Sequence, residues 1–139
     1  MKTTVVGQYV DFAAASRAAA ELMIAGFTQA QISIVGRDDL RFAFAGAVTR
    51  ELAGATHDDF ENRLVCALSR LCVPPRASLR HAVSLADGGG LVAVQAEADS
   101  ARRAEAVMNR HGTAASYAAG AVPFARSSRG REEARLTIA

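Results

Sequence analysis

One stretch of pattern occurs twice in this chain. Moving the sequence by 86 positions lays it on itself without a gap: Val5 and Val6 fall on Leu91 and Val92, Asp11 on Glu97, Arg17 on Arg103, Ala18 on Ala104, Leu22 on Met108 and Gly26 on Gly112. In the first copy, β-branched residues over 3–8 predict a strand. Asp11 is the expected N-cap of a helix whose apolar positions Phe12, Ala15, Ala19, Leu22 and Met23 follow helical spacing. Gly26 supplies its stop, and 32–37 reads as a second strand with Ile32, Ile34 and Gly36 on one face. The second copy reads as a strand over 91–97, a helix capped by Asp99 and running through Ala101, Ala104, Val107 and Met108, a stop at Gly112 and a weaker strand over 114–119. Two β-α-β units of this size predict an α+β, ferredoxin-like split arrangement: a four-stranded antiparallel sheet in the order 4-1-3-2, with both helices on one face. The whole is expected to form one domain over 1–122.

The halves are separated by 40–87, roughly fifty residues and too long for a plain loop in a compact domain. Leu40, Phe44, Val48 and Leu52 recur every fourth residue. Phe60, Leu64, Leu68, Leu71 and Cys72 form a second stripe behind the candidate caps Thr56 and Asp58. Pro74 and Pro75 end that run, and Pro75 suits the first turn of a third helix over 76–86 with Leu79, Val83 and Ala86 inward. Gly88, Gly89 and Gly90 then turn the chain into the third strand. Beyond Pro123 the charged tail 123–139 has no sustained period and is expected to be mobile.

A sheet carrying both helices on one face leaves its other face bare unless something packs there. The insert helices or a second subunit are expected to cover it. Phe44, Val48, Leu52, Phe60 and Leu64 therefore form a candidate contact surface, within the chain or between copies in a homo-oligomer.

Composition enters as a filter on function. The formal net charge is +2, and the last twenty residues, with four Arg and two Glu, account for it. The remaining body is neutral, which argues against nucleic acid as partner, since such binders carry a basic face. An RNA-binding sheet of this type also needs aromatics on its central strands, and those strands offer only Tyr9. No apolar run approaches the roughly 20 residues of a membrane span. Two cysteines, Cys66 and Cys72, lie too far apart along a helix for a disulfide and read as small core residues of a cytoplasmic protein.

No catalytic or cofactor signature emerges. Cys66, Cys72, His57, His81 and His111 lack metal-ligand spacing. His57 with Asp58, Asp59 and Glu61 reads as a helix start favoured by the macrodipole, and His111 as a helix-end cap. The triple glycine opens a strand rather than a helix, so it is not a phosphate loop. A non-catalytic chain without cofactor or metal is the expectation. One alternative is a pocket between the sheet and the insert helices, with Arg37, Asp38, Arg41 or His81 as its polar groups.

The segment TVVGQYVDFAAASRAAAELMIAGFTQAQISIVGRDD resembles the opening of the bacterial general stress protein 17M-like domain family. VPPRASLRHAVSLADGGGLVAVQAEADSARRAEAVMNRHG resembles that family's Val-Pro turn, short helix, Gly-containing turn, strand and final helix ending in His-Gly. Here 42–71 is charged and helical where the family is often glycine-rich and apolar. Arg76, Ala77 and Ser78 replace the acidic residues usual after the Val-Pro turn. The resemblance implies a small stress-associated bacterial protein with no established reaction or cofactor, and it assigns no site residues.

Overall fold

Strand β1 (Lys2–Tyr9) alternates its side chains across the sheet, and that alternation organises the molecule. A computed structural model describes residues 2–37, 40–86 and 88–118. The first helix, α1 (Phe12–Ile24), begins where expected: the Asp11 carboxylate accepts a 2.7 Å hydrogen bond from the Ala14 N–H. It ends at Gly26, φ +108°, with Phe27 N–H donating to the Leu22 carbonyl and Gly26 N–H to that of Met23. Only a residue without a Cβ takes that left-handed turn freely. A short 3-10 turn (Gln29–Gln31) leads into β2 (Ile32–Gly36). The second unit comprises β4 (Gly90–Glu97), α5 (Ala98–Asn109) and β5 (Thr113–Ala118). The N-cap position of α5 is Glu97, the counterpart of Asp11 in the repeat, and Asp99 lies in the first turn rather than at the cap.

Among the described residues the sheet has five strands, not four. Its order is β3-β2-β4-β1-β5 and every neighbouring pair is antiparallel. The added edge strand is β3 (Arg41–Ala43), which pairs Gly36 with Arg41 and Ile34 with Ala43. This corrects the expectation of a helix through Leu40, Phe44, Val48 and Leu52. Leu40 and Phe44 have φ of 48° and 67°, outside any right-handed helix, and α2 spans only Ala47–Leu52. The every-fourth spacing arose from a strand, a turn and a short helix in succession.

One face of the sheet, with Val5, Tyr9, Ile32, Ile34, Val92 and Val94, packs on α1 and α5. Alanines at 14, 15, 18, 19, 101 and 104 are buried there, so the helices approach the sheet closely. The opposite face, with Val6, Val35, Leu91 and Ala93, is covered by α2, α3 (Phe60–Arg70) and α4 (Pro75–Ala86). The insert thus supplies the third layer from within the chain. Val48, Leu52, Phe60 and Leu64 are fully buried in that second core, and Phe42 of β3 stacks on Phe60 at 6.3 Å between ring centroids.

Three further expectations are corrected. The cysteines are free and exposed, not core residues. Cys72 lies beyond the end of α3 with φ 70°, in the helix-terminating position glycine usually takes, so its side chain points away from the apolar stripe. Leu79 and Val83 face solvent, at 55% and 53% exposure; the inward stripe of α4 is Ala77, Ser78, His81, Ala82 and Leu85. Small residues win that position because the helix lies close over the sheet. The start of α3 is Asp59, whose carboxylate accepts from Thr56 N–H at 2.7 Å, rather than Thr56 or Asp58. Asp38, the side chain of Ala86 and the tail 123–139 lie outside the described residues.

Candidate functional site

The register of β1 and β5 determines what meets at the uncovered margin of the second face. Thr4 stands opposite Tyr117, Val6 opposite Ala115 and Gln8 opposite Thr113. Opposed residues of an antiparallel pair share a face. Thr4, Val6, Gln8, Thr113, Ala115 and Tyr117 therefore all look toward the insert layer. Thr4 Oγ1 donates to the Leu71 carbonyl at 2.8 Å, tying β1 to the turn between α3 and α4. The wall above is α4, whose buried Ser78 hydroxyl donates to the Val73 carbonyl at 3.2 Å.

Between α4 and the β1–β5 margin lies a cleft of about 220 Å³, with Arg80, His81 and Ser84 on the helix side. His81 is 9% exposed. Gln8 Nε2 lies 2.8 Å from His81 Nδ1 and donates to the His81 carbonyl at 3.3 Å. His81 Nε2 lies 3.0 Å from the Tyr117 hydroxyl, with the two rings edge to face. Burial holds the imidazole down to about 4, and the neighbouring Arg80 charge adds to that shift. The ring is neutral at physiological pH. Burial pushes the Tyr117 phenol up, while Arg80 beside it pulls partly back. The phenol therefore keeps its proton.

Of the polar residues proposed from sequence for a sheet–insert pocket, Asp38 lies outside the described residues, and of Arg37, Arg41 and His81 the cleft brings in His81 alone. Arg37 and Arg41 belong to the β2–β3 hairpin at the far edge of the sheet, where Arg41 lies over the Phe12 ring at 4.2 Å. Sequence reasoning missed Gln8, Arg80 and Tyr117. The available signal was a polar residue on a strand face that the apolar pattern assigns to the core.

Two other polar clusters lie outside this cleft. A hollow of about 230 Å³ on α2 and α3 contains Cys66, Arg63 and Arg70. There Arg70 pairs with Glu51 at 2.9 Å and Arg63 donates to the Glu51 and Ala53 carbonyls. His111 Nε2 lies 3.2 Å from Glu21 Oε1 of α1 without hydrogen-bond geometry, facing the end of α1 in place of the expected helix cap. Among the described residues no helix is long and apolar enough to cross a membrane.

No family model, curated protein or solved structure matches this chain.

Proposed function

We propose that this chain is a non-catalytic small-molecule-binding module whose site is the cleft between α4 and the β1–β5 margin. The observation that carries this reading is the convergence of Gln8, His81 and Tyr117 from three separate elements into one hydrogen-bonded chain beside an open cleft. A buried polar chain costs desolvation, and this one sits against a cavity rather than inside a filled core. The order β5-β1-β4-β2 for the strands of the two repeated units supports reading the scaffold as a ferredoxin-like sheet extended by β3. The general stress protein 17M-like resemblance agrees with a stress-associated module that needs no catalytic group, and two exposed free thiols suit a reducing cytoplasm.

Homo-oligomerisation is the second reading. Of the surface first suggested for it, Val48, Leu52, Phe60 and Leu64 are buried within the chain and Phe44 is half-buried against the other core, so an interface would use the exposed Leu79 and Val83 of α4 instead. Light scattering across a concentration series checks it: a mass that stays at one chain at the highest concentration rules it out.

The binding reading is tested by backbone-amide NMR of the whole chain against a panel of small acids, amides, nucleosides and sugars. Binders are expected to shift amides over 80–84 and 113–117 together. A panel that leaves both segments unmoved overturns the reading.

A further inference from the structure

The direction of the hydrogen bonds in the cleft narrows what it takes. Gln8 Nε2 lies within reach of two groups, His81 Nδ1 and the His81 carbonyl oxygen. A carbonyl only accepts, so the atom facing it is the amide nitrogen, and Nδ1 accepts the other amide hydrogen. The neutral ring then carries its proton on Nε2 and donates it to the Tyr117 oxygen at 3.0 Å. The phenol's own proton cannot point back at a donor. It is turned out of the chain and toward the cleft.

Beside it the Arg80 guanidinium contributes further donors and the one positive charge among the described lining residues. Among the described residues no carboxylate lines the cleft. Ala115 and the Tyr117 ring supply apolar surface. A volume of about 220 Å³ is roughly seven waters at about 30 Å³ each, below the usual range for ligand pockets. It suits a molecule of roughly ten non-hydrogen atoms.

We infer that the cleft binds a small organic monocarboxylate, its two oxygens held by the Tyr117 hydroxyl and the Arg80 guanidinium and its hydrocarbon part against Ala115. This rests on the binding reading above and names the ligand class for the same site. Two donor groups and one positive charge match a carboxylate's two oxygens and single charge. A phosphate, with a charge of about −1.5 to −2 and at least three acceptor oxygens, calls for more donors than these residues give.

The test is an NMR titration of the full chain with benzoate, its neutral isostere benzamide and inorganic phosphate, repeated on Tyr117→Phe, Arg80→Gln and the remote control Arg17→Gln, an exposed residue of α1 on the opposite side of the sheet. Benzoate is expected to shift amides over 80–84 and 113–117 saturably and to bind at least about tenfold more tightly than benzamide. Tyr117→Phe and Arg80→Gln should each weaken benzoate by about tenfold, and Arg17→Gln should not. Benzamide binding as well as benzoate overturns the carboxylate assignment and leaves the binding reading standing. Phosphate binding more tightly than benzoate overturns it in favour of an inorganic oxyanion. Silence from all three probes, while neutral members of the wider panel bind, also overturns it; silence from the whole panel removes the binding reading itself.

Discussion

At residue scale the informative group is His81, because the cavity wall and the buried chain of hydrogen bonds both depend on one neutral imidazole. Its folded-state value near 4 lies below the ordinary 6.5. Between those values the unfolded chain binds the proton and the folded chain does not, so acidification favours unfolding. The contribution is absent above about pH 6.5, grows as pH falls, and levels off near pH 4. At about 1.4 kcal/mol per pKa unit, wild type should lose about 2–3 kcal/mol more stability than His81→Gln between pH 7 and pH 4.5. Urea unfolding of both proteins at the two pH values measures the difference. Equal losses in the two proteins would remove His81 from the acid response.

At element scale, α4 shows how packing overrides a preference for large apolar side chains. A helix that buries Ala77, Ser78, Ala82 and Leu85 against α3 and the sheet leaves Leu79 and Val83 in solvent. Leu79→Ser and Val83→Ser should therefore change stability by no more than about 0.5 kcal/mol. Ala82→Leu, which forces extra methylenes beneath the helix, should cost about 1–3 kcal/mol. Denaturant unfolding of the three variants ranks them; the reverse ranking would put the other side of α4 against the sheet. The β2–β3 hairpin makes the same point differently. Leu40 and Phe44 share an apolar period with α2, yet the Leu40 N–H closes a turn onto the Arg37 carbonyl at 3.1 Å and the chain returns as a strand.

At the scale of the whole molecule, the sheet is common to two cores, so neither core is complete without it. Gly89, φ +101°, shows how tightly the parts meet: a Cβ there would lie 2.6 Å from the Tyr9 carbonyl oxygen. Leu64 is fully buried in the insert's core, and Leu64→Ala should cost about 2–5 kcal/mol. Because the two faces share their strands, that loss should appear equally in hydrogen-exchange protection of α1, on the opposite face, and of α3 beside the mutation. Loss confined to α2, α3 and α4 would instead make the insert a separately unfolding unit.

What the sequence by itself determined was local and repeated. The Asp11 cap, the Gly26 stop, the β-branched run of β1, the helical stripes of α1 and α5 and that of Phe60, Leu64 and Leu68 in α3 are each written in spacings of a few residues, where backbone geometry admits few alternatives. Both β-α-β units were legible for that reason, as was the need for a layer over the second face. His81 was legible as a polar residue of the insert, but its partners were not. Gln8 and Tyr117 lie 73 and 36 positions from it, and they meet it only through the antiparallel register of β1 with β5 and the placement of α4 above them. The tertiary structure likewise decided that β3 joins the sheet and that α4 turns its small residues inward. Those outcomes follow from how closely one layer can approach another, a quantity fixed by all the packed side chains together and carried by no short stretch of sequence.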